Sequence, residues 1–257
     1  MLLAINIGNT NITLGLQPYI QLLIYRILTK ECSTSLKVEQ EIETFISGQG
    51  FLLQQISGCI ISSVVPDKNI LVSDAVRKLI KTQPVIVSPL MDFSIDISPY
   101  DSSLIGTDRL LCCMASSVKF KMPFIVYDLG TATTANVVNE NGVFLGGAII
   151  PGFDIGLKAL AKNTALIPET TASPHIPLIG TNTNECLLSG AIHGTAGFID
   201  SYTDKVNEEL GNKTTVIITG GNASRVIPVL KTDAIYRPNL LLEGLLLLYS
   251  KYKHRKG

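Results

Sequence analysis

A chain of 257 residues is long enough for one large domain or two smaller ones, each with a developed core. Its 46% hydrophobic and 16% charged residues argue against disorder over most of its length, and a formal net charge of zero provides no long-range field toward nucleic acid or an anionic membrane. The five cysteines, Cys32, Cys59, Cys112, Cys113 and Cys186, are odd in number and lack metal-ligand spacing, so reduced core thiols in a cytoplasmic protein are expected.

Met1 runs directly into an apolar strand, so no N-terminal signal is expected. That strand opens the first polar hairpin, Leu3-Ala4-Ile5-Asn6-Ile7-Gly8-Asn9-Thr10-Asn11-Ile12-Thr13. Tyr19 to Leu28 alternates in part and extends the same sheet. Ser33-Thr34-Ser35 then caps a helix carrying Leu36, Val38, Ile42, Phe45 and Ile46, with Gly48 closing it. The continuous apolar run in Gly58-Cys59-Ile60-Ile61-Ser62-Ser63-Val64-Val65-Pro66 implies a strand buried on both faces, as in an α/β sheet. The two serines at its end either touch a ligand or simply form the turn. A helix from Asp67 to Lys81 and a strand from Pro84 to Val87 complete a β-α-β unit.

Met91 to Ile105 breaks every period, and a loop of that length is usually functional or mobile. It leads into Gly106-Thr107-Asp108-Arg109 and the buried helix that starts at Leu110. Two readings of this block stand side by side. Thr107 or Asp108 caps the helix, the carboxylate offsetting the N-terminal dipole; or a carboxylate and a guanidinium face an acidic small molecule or a reacting hydroxyl.

Tyr127-Asp128-Leu129-Gly130-Thr131-Ala132-Thr133-Thr134, between the runs Phe124-Ile125-Val126 and Val137-Val138, reads as a second hairpin able to grip phosphate. Asn6 aligns with Asp128 and Gly8 with Gly130 at a constant offset of 122, which implies two related halves. Gly142 to Gly152 reads as a strand whose glycines admit a close approach, Leu157 to Leu166 as a helix, and Ile167 to Gly180 as a loop in which His175 is exposed. Asn182-Thr183-Asn184-Glu185 opens a helix running from Cys186 to Leu210. Gly190, Gly194 and Gly197 lie on one of its faces and imply close packing against another helix or subunit. Val216 to Ala223 is a strand entering the turn Gly220-Gly221, a third turn of nucleotide-binding type. A final apolar helix, Asn239 to Tyr252, is expected in the core of the second half. Its apolar run is too short for a bilayer, and its basic end, Lys251 to Lys256, is expected to be a solvated tail.

These residues together resemble the type III pantothenate kinases of the acetate-kinase, sugar-kinase, Hsp70 and actin superfamily. The resemblance rests on Asn6, Gly8, Asn9 and Thr10; Ser62 to Pro66; Gly106, Asp108 and Arg109; Asp128, Gly130, Thr131, Ala132 and Thr133; Gly146-Gly147 with Pro151-Gly152; Thr183 before Ser189-Gly190; and Thr219-Gly220-Gly221. It covers essentially the whole chain. It implies an α/β fold of two ribonuclease-H-like, actin-like ATPase domains with mixed sheets flanked by helices, expected at residues 1–115 and 116–257. The implied reaction is ATP-dependent phosphorylation of pantothenate to 4'-phosphopantothenate, the first step of coenzyme A biosynthesis, in a homodimer without nucleic-acid or membrane partners.

The resemblance also implies roles. Asn6, Ile7, Gly8, Asn9, Thr10, Asn11, Ile12 and Thr13, with Thr131, would hold the ATP phosphates together with Mg²⁺. Asp108 would be the general base, and Arg109 would pair with the pantothenate carboxylate or support the phosphoryl group. Tyr100, Gly106 and Thr107 would line the pantothenate pocket, with Thr183 supplied by the neighbouring subunit. Asp128 would be the ligand of a monovalent cation, K⁺ or NH₄⁺. Two departures stand out. Asn6 occupies the position of a family aspartate, which implies weaker metal binding and a slower reaction or an accessory protein that binds without turnover; and Ser102-Ser103-Leu104-Ile105 replaces the usual approach to Gly106.

Overall fold

The structure, a computed structural model, describes residues 1–257 except Ile20, Ser102, Ser103, Ala172, Pro174, His175 and Gly257, and the side chains of Arg255 and Lys256. The expectations for His175 and for the pair Ser102-Ser103 therefore lie outside the described residues. The chain folds as two compact units. One comprises Met1–Ser94, Asp101–Ala115 and Leu240–Gly257, and the other Ile95–Tyr100 and Ser116–Asn239.

In the first unit, β1 (Leu2–Ile7), β2 (Asn11–Gln17) and β3 (Leu23–Leu28) form an antiparallel meander. Helix α1 (Ser35–Gly48) starts at Thr34, whose hydroxyl accepts from Lys37 N at 3.2 Å, and buries Val38, Ile42, Phe45 and Ile46 while Leu36 stays exposed. Strand β4 (Gly58–Ser63) then pairs parallel to β1. Helix α2 (Pro66–Ile80) begins with proline in its first turn and ends at Lys81 in the left-handed conformation. The short strand β5 (Val85–Ile86) adds beside β4, giving the order β3-β2-β1-β4-β5. Alternate residues of the sheet, Leu3, Ile5, Ile7, Ile12, Leu14, Leu16, Cys59 and Ile61, meet the apolar faces of α1 and α2. After an irregular stretch comes α3 (Thr107–Lys119).

The second unit repeats the plan. Strands β6 (Phe124–Leu129), β7 (Ala132–Val138) and β8 (Phe144–Pro151) make an antiparallel meander. Helix α4 (Phe153–Asn163) follows, and then the long α5 (Thr183–Leu210), started by Asn182, whose side chain accepts from Glu185 N at 3.0 Å, and ended by Gly211 at φ 64°. Strand β9 (Thr215–Thr219), the single-turn α6 (Ala223–Val226) and β10 (Ile235–Tyr236) complete a sheet ordered β10-β9-β6-β7-β8. Its core joins Ile125, Tyr127 and Leu129 to Ile192, Ala196 and Ile199 of α5. The Tyr127 hydroxyl, buried there, pairs with Thr203 Oγ1 at 2.8 Å. Both sheets are mixed, with the same order and sense, as the resemblance implies for paired ribonuclease-H-like units.

Two expectations are corrected. The last helix, α7 (Leu240–Lys256), packs against β1 and β4 of the first unit rather than in the second. Gly244 makes this possible, since a Cβ there would stand 2.3 Å from Leu111 O, and Leu242 lies against Gly15. The segment Ile95–Tyr100, expected within residues 1–115, belongs instead to the second unit, where Asp96 bonds through its backbone to Gly142 and Phe144. Among the described residues no helix is long and apolar enough to cross a membrane.

Candidate active site

In the first unit the polar residues gather where β1 and β4 end. Parallel pairing sets Asn6 opposite Ser62, and antiparallel pairing sets it opposite Thr13. The amide oxygen of Asn6 is buried and meets no hydrogen-bond donor. A buried acceptor of this kind costs free energy unless something supplies a donor or a cation. The hairpin tip beyond it is held from inside. Gly8 N donates to Asn11 O at 2.9 Å, Thr29 N to Thr10 O at 2.9 Å, and Thr29 Oγ1 to Gly8 O at 2.7 Å. With the carbonyls of Gly8, Thr10 and Asn11 engaged inward, Asn9 and Thr10 stand exposed at the tip. Ile7 and Ile12 are buried in the core, so only their backbone can serve a ligand.

Gly106 and the first turn of α3 place the carboxylate of Asp108. A Cβ on Gly106 would lie 2.4 Å from Asp108 Oδ1, so only glycine leaves the carboxylate this position. The same oxygen accepts from Arg109 N at 2.9 Å. Burial pushes the Asp108 carboxyl above the usual carboxylate range, against the lowering effect of the Arg109 amide and guanidinium. The hydroxyl of Thr107 is buried and pairs with Ser62 Oγ at 3.0 Å. Asn6, Ser62, Thr107 and Asp108 thus form a chain of neighbours at one end of the first sheet.

The second unit carries the matching arrangement. Asp128 pairs opposite Thr134 on β7 and Thr219 on β9. Gly220 leaves room for its carboxylate: a Cβ there, at φ 97°, would stand 2.5 Å from Asp128 Oδ1, whereas one on Gly130, 3.5 Å away, would make ordinary contact. The hairpin turn is closed by Gly130 N donating to Ala132 O at 3.1 Å. Gly152 N donates to Thr131 O at 3.2 Å, which fixes Thr131 from the next strand. Tyr100 packs edge-on against Phe144, with ring centroids 5.4 Å apart, over the bare Cα of Gly146. Thr183 is exposed in the first turn of α5. Along the same helix, a Cβ on Gly190, Gly194 or Gly197 would meet nothing within 4 Å, so among the described residues none packs closely on these three positions.

Sequence reasoning therefore located both hairpins and the Gly106 to Arg109 block. It missed Thr29, which ties the first tip, and the pairing of Ser62 with Thr107. Neither has a local sequence signal, because each contact spans 21 residues or more. Among the described residues there is no cluster of three or more His, Cys, Asp or Glu able to hold a metal ion.

Comparison with known proteins gives the family. The family model described as type III pantothenate kinase matches residues 2–205. The chain is 32% identical over 252 residues to the type III pantothenate kinase of Moorella thermoacetica, covering 98% of this chain and 99% of the relative. It is 32% identical over 259 residues to that of Agathobacter rectalis, covering 100% and 99%. Among solved structures, a conserved Baf-family protein from Campylobacter jejuni superposes with a TM-score of 0.62 at 17% identity, covering 98% of this chain and 99% of that one. Component A of (R)-2-hydroxyglutaryl-CoA dehydratase from Acidaminococcus fermentans gives 0.54 at 16%, covering 98% of both chains. At such identities the two structures speak for the fold alone. The family match spans both hairpins and the Asp108 turn, and with full-length relatives at this identity the chain belongs to the type III pantothenate kinase family.

Proposed function

We propose that this protein transfers the terminal phosphoryl group of ATP to the primary hydroxyl of pantothenate, giving 4'-phosphopantothenate and ADP, the first step toward coenzyme A. The observation that carries this reading is Asp108: a carboxylate whose pKa burial raises, held by Arg109 N and given room by Gly106, where any Cβ would meet it, in a chain of this family. A general base works best when its pKa lies nearer the operating pH than a free carboxylate's does, and burial moves Asp108 in that direction.

Asp108 accepts the proton of the attacking hydroxyl as its oxygen bonds to phosphorus and the bond to the ADP oxygen breaks in line. Arg109 pairs with the carboxylate of pantothenate, and Gly106 and the backbone of Thr107 line its pocket. The Thr107 side chain is already engaged by Ser62. The tip of the first hairpin, Gly8 to Asn11, offers backbone and hydroxyl groups to phosphate, and so, in its own unit, does Thr131 on the second hairpin.

The residues fit a divalent cation in one respect: the buried, undonated oxygen of Asn6 is the kind of group that takes a hard cation or a water of its shell. Mg²⁺ when bound supplies charge neutralisation on the phosphates, and Asn6 contributes an oxygen without a charge. Asp128, beside Gly220, fits a monovalent cation, K⁺ or NH₄⁺. The open glycine face of α5 and the exposed Thr183 suit a second copy of the chain, so the working form is a homodimer, in the cytoplasm.

The test is formation of phosphopantothenate from ATP and pantothenate by the purified protein, with and without K⁺ and across a Mg²⁺ titration, beside Asp108→Asn. Turnover that depends on K⁺ and on Asp108 is expected. Full turnover in Asp108→Asn would remove the base assignment, and none in the native protein would remove the kinase reading.

A further inference from the structure

Strand β4 is apolar and buried until Ser62, which is 0% exposed. Its side chain lies on the opposite face of the sheet from Cys59 and Ile61, which enter the core under α1 and α2. Burying a hydroxyl is unfavourable unless it is hydrogen-bonded, and here the partner is Thr107 Oγ1 at 3.0 Å, on a residue only 7% exposed. The nearest alternative acceptor by register is Asn6 on β1, yet the Asn6 oxygen meets no donor. Ser62 is therefore directed at α3 and not across the sheet.

Thr107 is the first residue of α3, and Asp108 follows it directly. Arg109 N bonds to both Gly106 O at 3.2 Å and Asp108 Oδ1 at 2.9 Å, so the carboxylate is folded onto its own turn. Its freedom is then the freedom of that turn. A hydroxyl pair has a directional optimum that apolar packing lacks, and shifts of about 1 Å in a reacting group can lower rates about a hundredfold.

We infer that Ser62 is a positioning residue for phosphoryl transfer, fixing the first turn of α3 through the Thr107 hydroxyl and so holding the Asp108 carboxylate where the acceptor hydroxyl arrives. The inference rests on the reading of Asp108 as the base. Of the two serines for which the sequence left ligand contact or turn formation open, Ser62 thereby takes neither role but supports the catalytic turn, while Ser63 forms the turn with Val65.

A double-mutant cycle tests it. Ser62→Ala, Thr107→Val, the double variant and Asp108→Asn are compared with the native enzyme for kcat, for KM of both substrates, for binding of a non-hydrolysable ATP analogue and for thermal midpoint. The expected result is a fall in kcat of about 10- to 100-fold in each single variant, with analogue affinity within about twofold and a double variant no slower than the slower single one. Native kcat in a folded Ser62→Ala overturns the inference, as do strictly multiplying losses or a loss confined to analogue binding. Should Ser62→Ala fail to fold, Thr107→Val, which keeps the side-chain volume, decides alone: native kcat there overturns it. The two failures are distinguishable, because loss of the base assignment shows as retained turnover in Asp108→Asn, whereas failure of the positioning role leaves Asp108→Asn inactive and Ser62→Ala fast.

Discussion

The two hairpins of this protein share a scaffold and differ in where they keep charge. In each, one position at the end of the first strand is flanked by a hydroxyl residue on the antiparallel neighbour and another on the parallel one: Asn6 by Thr13 and Ser62, Asp128 by Thr134 and Thr219. The first turn spans three residues between strands, Gly8 to Thr10, and the second only two, Gly130 and Thr131. The internal offset accordingly shrinks from 122 between Asn6 and Asp128 to 121 between Thr13 and Thr134. The second unit has its carboxylate on the strand, beside Gly220. The first has a neutral amide there, and its carboxylate stands instead on the helix that Ser62 reaches, at Asp108. The two units share the frame, and the proposed base stands on the helix that follows the first sheet.

The largest effect should come from removing that displaced charge. Asp108→Asn keeps an acceptor for Arg109 N and should lower kcat about 10²- to 10⁴-fold. It should not lower the thermal midpoint. The folded-state pKa of Asp108 is raised, so its contribution to stability is fully present below the unfolded pKa of about 3.9 and is lost as pH rises through the folded value. At neutral pH the folded protein carries the cost of a buried charge, and the amide relieves it. Scanning calorimetry at pH 7 checks the sign: inactivity with a clear loss of stability would return Asp108 to a merely structural role. In the native enzyme the acidic limb of kcat/KM should fall at a pH above that of an ordinary carboxylate. Next in size is Asp128→Asn, which makes the second hairpin like the first. A loss of about tenfold or more is expected, with a rise in the K⁺ concentration for half-maximal rate. An unchanged K⁺ response would break the assignment of charge to the second strand.

Much of this frame was legible in the chain. Leu3-Ala4-Ile5 and Phe124-Ile125-Val126 announce the paired first strands because both are buried on two faces, and glycine with hydroxyl residues after each marks the turn. Asn182 and Glu185 announced the start of α5 because the cap is a local contact. What escaped is what depends on distance in sequence. Helix α7 is apolar on most sides, so its pattern says that it is buried without saying under which sheet; Gly15 and Leu111, which receive it, carry no mark of their own. Helix α4 begins at Phe153, before the expected Leu157, because Gly156 continues the helix with its N–H on Gly152 O at 2.9 Å instead of breaking it. The edge strands β5 and β10 are two residues each, too short for any period. In the site, the residue types were readable, but the bond between Ser62 and Thr107, 45 residues apart, was not.

Asn6→Asp makes the first hairpin like the second. A carboxylate at a buried oxygen that meets no donor is tolerated only with a cation or donor nearby. With Mg²⁺ and nucleotide the variant should need about 3- to 10-fold less Mg²⁺ for half-maximal rate, and calorimetric titration of the Mg²⁺-nucleotide should show the same tightening. Without them it should be less stable than the native protein. Equal Mg²⁺ dependence in the two proteins would mean that the neutral amide is no handicap and that the halves differ for another reason.

The smallest effect concerns the backbone rather than the charge. At the first tip a methyl group on Gly8 would meet Asn11 O at 3.1 Å, a contact that a shift of a few tenths of an ångström relieves. At the second, a methyl group on Gly152 would stand 2.4 Å from the carbonyl oxygens of both Gly130 and Thr131, which are backbone atoms and cannot rotate away. Gly8→Ala should thus change stability by less than about 1 kcal/mol, whereas Gly152→Ala should cost about 1–3 kcal/mol through forced overpacking. In a protein of this size that is a drop in thermal midpoint of about 2–4 °C per kcal/mol. Gly152 N also donates to Thr131 O, so the shift in Gly152→Ala should reach the phosphate side of the hairpin and raise the KM for ATP. If instead Gly8→Ala proves the more damaging, the three-residue turn is the more constrained of the two, and the shorter hairpin owes its shape to Gly130 and Thr131 alone.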